Sequence, residues 1–319
     1  ATVIGTIVTL VKQNDIPVSK LEQILDDDKK KLFLEREKRV HPHKDDKILT
    51  DWNGLMISSL AYGYQVLGDK AYLIAAQRAA DFILNKLQKE GKLLKRFRDG
   101  QAVIAGYLDD YAFLISGLID LYQASFDVKY LKEAVRLTNL MVELFWDSSS
   151  AGFFFSGKNN EELISKTKEI YDGDIPSGNS MAALDLLRLG RLTMNTDWEK
   201  KALEMLQNFS GTIQKQPTAY SQMLIALDFS LGPTKEIVLA GDIDSPETQS
   251  MLKTINQRFL PGKVLAFHFD GQAGEKLEKL IPFTEGFKKQ GGKTTAFVCE
   301  NYVCQRPTNE IGKLEELLK

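Results

Sequence analysis

The sequence is poor in the residues and segments that mark several specialised classes of protein. Its 319 residues include two cysteines and three histidines, and 41 Lys+Arg against 43 Asp+Glu give a net charge of -2 with no basic block. Phosphate-driven binding to nucleic acid is therefore not expected. No apolar run approaches the roughly 18–20 residues that a membrane span requires. Residues 1–10 also lack the basic segment and cleavage site of a secretory signal, so we expect a cytoplasmic protein with no membrane partner.

Patterns typical of common cofactor and catalytic sites are also missing. Cys299 and Cys304 are too few for a disulfide scaffold or a four-ligand zinc site, and their spacing is not that of Cys-x-x-Cys. We interpret them as structural thiols in a reducing compartment, with a redox pair or half of a metal site as the alternatives. The Gly241-Asp242 turn lacks the glycine pattern of dinucleotide binding, and there is no Gly-x-Ser-x-Gly elbow. No metal and no cofactor is expected.

The beginning of the chain has the appearance of an internal segment. It opens with Ala1 instead of an initiator methionine, and residues 2–10 have the pattern of a strand, so we expect a fragment of a longer protein. A charged helix follows, with Ser19 as its predicted N-cap and Glu22 in the capping-box position. It leads into a polar loop over residues 39–47. We treat residues 1–46 as a lead-in segment.

A helical repeat is the strongest pattern in the sequence. A capping residue, an aromatic residue three positions later and an alanine four positions further on recur three times. Each set opens an amphipathic helix. The sets are Asp69, Tyr72 and Ala76; Asp127, Tyr130 and Ala134; and Asn195, Trp198 and Ala202.

Each amphipathic helix is preceded by a second helix that is more apolar and richer in small residues. Small residues allow close approach on all sides, which predicts inner helices surrounded by an amphipathic outer layer. A polar residue stands 18 positions before each cap, at Asp51, Asp109 and Ser177. Because this offset is equal in all three repeats, we expect these residues to meet at one rim.

The repeat predicts a mainly α fold, an incomplete (α/α)6 toroid over residues 47–232. A fourth inner helix, 219–231, ends at Gly232-Pro233. Four inner helices do not close a ring of six hairpins, so earlier hairpins should be missing. Strand-like segments at 93–104 and 152–156 are expected to form turns at the rim.

From residue 233 onward, apolar strands alternate with helices. Ser245 caps a helix that has Pro246 at its first position. This alternation predicts a small parallel three-stranded α/β unit over residues 233–319. The predicted strands are 236–242, 263–269 and 294–299.

Five motifs together, and in this order, resemble one protein family. The resemblance is to the thioredoxin-domain-containing proteins related to spermatogenesis-associated protein 20. It implies an N-terminal thioredoxin-like domain, absent here, followed by an (α/α)6 region similar to N-acylglucosamine 2-epimerases and other six-hairpin carbohydrate enzymes. It implies sugar as a substrate class but no defined reaction. The motifs are Asp51-Trp-Asn-Gly-Leu-Met56, Leu108-Asp-Asp-Tyr111, Lys168-Glu-Ile-Tyr-Asp-Gly173, Ile175-Pro-Ser-Gly-Asn-Ser180 and Val298-Cys-Glu-Asn-Tyr-Val-Cys-Gln305.

Carboxylates at the predicted rim are the candidate catalytic residues. Asp51, Asp109 and Asp110 could supply the two carboxyl groups of glycoside hydrolysis, which stand roughly 5–5.5 Å apart for retention and about 6.5–9.5 Å apart for inversion. One would act as the acid and another as the base or nucleophile. The alternative is that each aspartate only caps its helix.

Polar and aromatic residues near these carboxylates are the candidate substrate contacts. Residues 177–180 could form a nest for a hydroxyl or anionic group, or only a capped turn. Aromatic residues, including Tyr107 and Tyr171, could stack on a sugar ring, although at helix starts they more often belong to the core. The predicted substrate contacts are Trp52, Asn53, Tyr111, Glu169, Asp172, Ser177 and Asn179.

The positions of the histidines argue against an epimerase mechanism. The resembled epimerases use histidines on inner helices, whereas here His41 and His43 lie in the polar loop and His268 lies in the α/β unit. A two-histidine mechanism would require the 39–47 loop to fold over the rim as a lid.

Two functions are consistent with these patterns. The first is a carbohydrate-binding toroid with glycosidase- or epimerase-like activity on a small sugar substrate. The second is a non-catalytic scaffold that presents client proteins to the thioredoxin-like region of the same protein. Stabilisation by sugars in a thermal-shift screen would distinguish the first from the second.

Overall fold

The computed structural model describes residues 16–158, 160–161 and 165–319, so the strand predicted at 2–10 lies outside the described residues. The chain divides into two units at Asp46 and Lys47. The first contains helix α1 (Val18–Arg36), none of whose residues is buried. The predicted cap at Ser19 is wrong, because the carbonyl of Pro17 already accepts the first helical hydrogen bonds.

Helical hairpins make up most of the second unit. The helix α4 (Leu108–Ser125) packs against α2 and α6, and α6 packs against α8. Each outer helix packs on the inner helix that precedes it. The fold is therefore mainly helical and of the α/α-toroid type, as predicted. The other inner helices are α2 (Thr50–Leu67), α6 (Gly178–Thr193) and α8 (Ser221–Leu231), and the outer helices are α3 (Lys70–Lys86), α5 (Val128–Phe145) and α7 (Thr196–Lys215).

The predicted caps of the outer helices are confirmed. Asp69 accepts the N–H of Ala71, Asp127 accepts that of Lys129, and Asn195 accepts two N–H groups of its own helix. The predicted start of the fourth inner helix at residue 219 is wrong by two positions. A short 3-10 helix, Pro217–Ala219, occupies that place.

Two glycines allow the inner helices α2 and α4 to cross closely. A Cβ atom on Gly54 would lie 2.5 Å from the carbonyl oxygen of Phe113, and a Cβ atom on Gly117 would lie 2.5 Å from that of Gly54. Such distances leave no room for a side chain, so the two backbones are in contact. This contact brings the beginnings of α2 and α4 together.

Short strands connect these helix starts at the rim. The strands are β1 (Ile48–Leu49), β2 (Gln88–Lys89), β3 (Lys92–Arg98) and β4 (Gln101–Ala105). β3 and β4 form the predicted hairpin around Asp99-Gly100, and β1 pairs antiparallel with β3. The segment that enters α2 is therefore fixed against the hairpin.

The C-terminal sheet is mixed, which corrects the prediction of a parallel unit. β5 (Lys235–Gly241) and β6 (Lys263–Phe269) are parallel, but β7 (Thr295–Glu300) is antiparallel to β5 and β8 (Val303–Cys304) is antiparallel to β7. The connection between β6 and β7 contains the helix α10 (Gln272–Glu278) and a short 3-10 helix (Pro282–Thr284). After this connection β7 starts at the end of the sheet where β6 finishes, since His268 and Thr295 both stand opposite Ala240.

Both faces of this sheet are covered. Val238 and Ala240 belong to the core that includes the toroid helices, and Ile237 and Leu239 belong to a second core. That second core also contains residues of α9 (Pro246–Asn256) and α11 (Ile311–Leu317). The division of the chain into domains at residue 232 stays a prediction.

Cys299 and Cys304 form a disulfide bond, so the prediction of free structural thiols is wrong. They stand opposite each other on β7 and β8. Asn301 and Tyr302 form the two-residue turn between them and have positive φ, as a tight hairpin requires. The cytoplasmic location stays a prediction, and free thiols no longer support it because both cysteines are in the disulfide bond. Within the described ranges, no helix has the length and apolar character needed to cross a membrane.

Candidate functional site

Lys95, which no sequence pattern singled out, lies among the predicted carboxylates. Its Nζ is 3.0 Å from Oδ2 of Asp51 and 3.7 Å from Oδ2 of Asp110. It also lies 5.6 Å from the ring centroid of Tyr107. Partial burial lowers the pKa of Lys95, but the charges of Asp110, Asp51 and Asp109 outweigh it and raise the pKa overall. Lys95 is therefore a fixed positive charge at neutral pH.

Two hydrogen bonds to β3 place Lys95 in this position. The hydroxyl of Thr50 donates to the carbonyl of Leu94 at 2.5 Å, and the N–H of Leu93 donates to the hydroxyl of Tyr111 at 3.0 Å. Tyr111 is buried in the core. It supports the hairpin from inside and offers no ring face for stacking on a sugar.

Asp110 is the buried member of the cluster, with no exposed surface. Its Oδ1 accepts the backbone N–H of Asp51 at 3.2 Å, and its Oδ2 accepts that of Tyr107 at 2.8 Å. Burial raises the pKa of Asp110 to about 7, against the opposing effect of Lys95 and these N–H groups. Asp110 therefore organises the cluster and does not present its carboxyl group to solvent.

Asp109 is the partly exposed neighbour of Asp110. Burial, followed by the charge of Asp51, raises its pKa to about 6, although Lys95 opposes this shift. Its Oδ1 lies directly against Gly178, whose N–H bonds to it at the start of α6. The starts of α2, α4 and α6 thus meet around one group of carboxylates. With a pKa of about 6, the carboxyl group of Asp109 changes between its protonated and ionised forms just below neutral pH. It is also partly exposed, so solvent can reach it.

Of the predicted substrate contacts, Trp52, Asn53 and Glu169 lie beside this group. The side chain of Trp52 is 60% exposed, directly after Asp51 in the chain. Asn53 donates from Nδ2 to the carbonyl of Leu49 at 2.7 Å. Glu169 is exposed, and its charge raises the pKa of Asp109. Asp51 itself is buried, and its two oxygens accept from the N–H of Trp52 and from Lys95. The groups open to solvent are therefore the ring of Trp52 and the carboxylates of Asp109 and Glu169.

Asp172, Ser177 and Asn179 use their polar atoms within the protein. Asp172 accepts three backbone N–H groups, from the starts of α6 and α8. Ser177 caps α6. The side-chain amide of Asn179 exchanges two hydrogen bonds with the backbone of Phe153. These residues fix the connection from α5 to α6, and the polar atoms that do so are engaged within the protein.

His268, the histidine of the second unit, is not part of this cluster. His268 lies on β6, where its Nε2 is 2.9 Å from Oε1 of Glu278. His41 and His43 belong to the first unit, and their role in a lid stays a prediction. In the described part of the chain, no three His, Cys, Asp or Glu side chains are grouped so that they could hold a metal ion.

Comparison with known proteins identifies relatives for this chain. No family model matches it. Human spermatogenesis-associated protein 20 is 33% identical over 314 residues, which cover 95% of this chain and 40% of the human protein. This chain is homologous to spermatogenesis-associated protein 20. The resemblance based on the five motifs is therefore confirmed.

A protein from a nematode is also similar to this chain. An uncharacterised protein of Caenorhabditis elegans is 32% identical over 313 residues, which cover 95% of this chain and 42% of that protein. The chain thus spans about two fifths of the length of the curated relatives it matches.

Solved structures with similar helices include two proteins named for carbohydrate chemistry. Cellobiose 2-epimerase from Bacillus thermoamylovorans is 17% identical, with a TM-score of 0.45 over 53% of this chain and 46% of that chain. A family 76 α-mannanase from Bacteroides thetaiotaomicron is 16% identical, with a TM-score of 0.47 over 68% of this chain and 59% of that chain. The α/α arrangement described above rests on the packing of this chain's own helices.

Proposed function

We propose that the carboxylates at the starts of α2 and α4 bind a sugar and that Asp109 exchanges a proton with it. The supporting observation is the state of Asp109, which is partly exposed and has a pKa raised to about 6. A general acid or base works best when its pKa lies near the working pH. Asp109 meets this condition and can also be reached by a ligand.

The neighbouring groups suit a polyhydroxylated molecule. Sugar hydroxyl groups donate to carboxylate oxygens such as those of Asp109 and Glu169 and accept from an ammonium group such as that of Lys95. The exposed ring of Trp52 offers an apolar face to the C–H groups of a sugar ring. In a glycosidase-like reaction Asp109 would be the acid and Asp51 the base or nucleophile. In an epimerase-like reaction the same pair would remove and return a proton at carbon.

A saccharide titration tests this proposal. We expect at least one of a panel of mono- and disaccharides to raise the unfolding temperature and to change the fluorescence of Trp52. Asp109→Asn should weaken that binding at least tenfold, because it removes a charged hydrogen-bond partner. The matched control is Asp99→Asn, since Asp99 is 83% exposed at the tip of the nearby hairpin. A panel without any stabilising sugar would contradict the proposal.

A non-catalytic scaffold is the second candidate, favoured by exposed apolar side chains along α2. Met56, Val66 and Leu67 are all exposed on this helix, and exposed apolar patches often mark binding surfaces. The partner would be a client protein, presented to the thioredoxin-like region that the family resemblance implies. Binding of an unfolded client peptide, with no response to sugars, would favour this function over the first.

A further inference from the structure

A cavity of about 360 Å³ lies between the inner helices α2, α4, α6 and α8 and the segment that runs from the end of α9 to the start of β6. It shares no lining residue with the carboxylate cluster. Its volume is within the range of small-molecule sites. Arg188, Arg258 and Lys263 line it, and no aspartate or glutamate is among the described residues that do so. The charged part of the lining is thus entirely cationic.

Two of these three cations are paired with carboxylates. Arg188 is buried and forms an ion pair with Asp120, and Arg258 lies 3.4 Å from Glu315. Lys263 has no carboxylate within ion-pairing distance in the part of the chain that the structure describes. Burial and the charge of Arg188 lower the pKa of Lys263, although the charge of Asp120, the partner of Arg188, opposes this shift. A bound anion would supply the missing counter-charge to Lys263.

The border of the cavity is apolar and exposed. Phe259 is 92% exposed on the loop after α9, and Val66, Ile225 and Tyr62 are also among the exposed apolar side chains of this chain. These four side chains come from three different elements and line the same cavity. Apolar surface around a cationic interior suits a ligand that has both an anionic and an apolar part.

One polar atom near the cavity also lacks a partner. Oδ1 of Asn256, a lining residue, is buried and has no hydrogen bond to any described group. Buried polar atoms are rarely left without a partner, because the loss costs free energy. A donor group on a bound molecule would satisfy this atom.

We propose that this cavity binds a small organic anion, a carboxylate or phosphate ester that carries an apolar group. The anionic group lies against Lys263 and Arg188, and the apolar group lies against Phe259 and Val66. This site is separate from the proposed sugar site and does not depend on it.

Calorimetric titration of the whole chain with four probes tests the site. The probes are 4-phenylbutyrate, phenyl phosphate, inorganic phosphate and the neutral alcohol 4-phenylbutanol. We expect 1:1 binding of at least one of the two aromatic anions. The alcohol lacks the anionic group and inorganic phosphate lacks the apolar group, so each should bind at least tenfold more weakly. Tighter binding of phenyl phosphate would assign a phosphate ester as the ligand, and tighter binding of 4-phenylbutyrate would assign a carboxylate.

Three variants complete the test. Lys263→Met should weaken binding of the aromatic anion at least tenfold, because a charge-assisted contact is lost. The control Lys253→Met removes an exposed charge on α9 and should change the affinity for the aromatic anion less than twofold. Phe259→Ser alters an exposed ring and should weaken the aromatic anion only. Equal binding of the alcohol, equal effects of the two lysine variants, or no binding at millimolar probe would each overturn the proposal.

The sugar-site variant separates the two proposals. Asp109→Asn should leave the affinity for the aromatic anion unchanged, since Asp109 does not line this cavity. A loss of anion binding in that variant would show that the probe occupies the carboxylate cluster and would overturn the second site.

Discussion

The backbone N–H of Asp51 donates a hydrogen bond of 3.2 Å to Oδ1 of Asp110, although 59 positions separate the two residues. The bond joins the starts of two inner helices, and the other oxygen of Asp110 accepts the N–H of Tyr107. The carboxyl group of Asp110 is thus used to build the site. Asp109, one position earlier, bonds to the N–H of Gly178 but is partly exposed and can meet a ligand.

The two neighbouring aspartates should therefore differ in their effect on stability. Asp110→Ala leaves two N–H groups without their acceptor, and we expect the free energy of unfolding to fall by about 2–4 kcal/mol. Asp109→Ala should lower it by less than about 1 kcal/mol, since its carboxyl group is partly exposed. Urea denaturation of both variants provides the comparison. Equal losses would show that Asp110 has no special structural role.

Stability should depend on pH through Asp109. Its pKa is about 6 in the folded protein, above the value of about 3.9 expected for an unfolded chain. The folded state therefore holds this proton more tightly, so the stabilisation is complete below about pH 4 and is lost as the pH rises through about 6. Asp109→Asn should remove the part of the pH dependence that comes from Asp109. The free energy of unfolding of this variant should therefore rise relative to that of the native chain as the pH increases from 4 to 8. Parallel stability curves for the two proteins would contradict this assignment.

Lys95 should stabilise the carboxylates most when they are charged. In Lys95→Met we expect the pKa of Asp110 to rise above its value of about 7, because the nearby positive charge is lost. The free energy of unfolding should fall by about 1–3 kcal/mol at pH 8 and by less at pH 5. Denaturation at both pH values measures this, with exposed Lys89 on β2 as the control in Lys89→Met. A pH-independent loss would mean that Lys95 acts through packing alone.

The repeat made the helical part of the fold predictable, because caps such as Asp69 and buried residues such as Ala76 recur at fixed spacing. The same spacing correctly indicated that helix starts would meet. It did not reveal Lys95, because the sequence of β3 does not show which of its basic residues faces the carboxylates. That choice depends on the hydrogen bonds that Thr50 and Tyr111 make to the strand.

The mixed sheet was missed for a similar reason. Alternating strands and helices favour parallel pairing in general, but β7 runs antiparallel to β5, and the pattern of apolar residues does not show the direction of a strand. The disulfide bond depends on the turn at Asn301 and Tyr302, which places Cys299 opposite Cys304. Spacing alone does not determine either feature, because both depend on the direction in which the chain returns.

The approach of α2 to α4 can be tested with two glycines of the same helix. Gly54→Ala would place a Cβ atom 2.5 Å from the carbonyl oxygen of Phe113, so the helices must separate, and we expect a loss of about 3 kcal/mol in the free energy of unfolding. At Gly63 the nearest atom is 3.6 Å away, in the ring of Tyr72. Gly63→Ala should therefore be tolerated and should gain up to about 1 kcal/mol from its better helix propensity.

The Gly54 variant should also disturb the site, because the separation of the helices weakens the hydrogen bond between Asp51 and Asp110. We expect sugar binding to fall in Gly54→Ala under conditions where the variant is still folded, and to stay unchanged in Gly63→Ala. Denaturation and saccharide titration of both variants measure the two effects. If Gly54→Ala lost stability but kept full binding, the carboxylate arrangement would not depend on the helix contact, and the proposed link between the crossing of α2 and α4 and the site would be wrong.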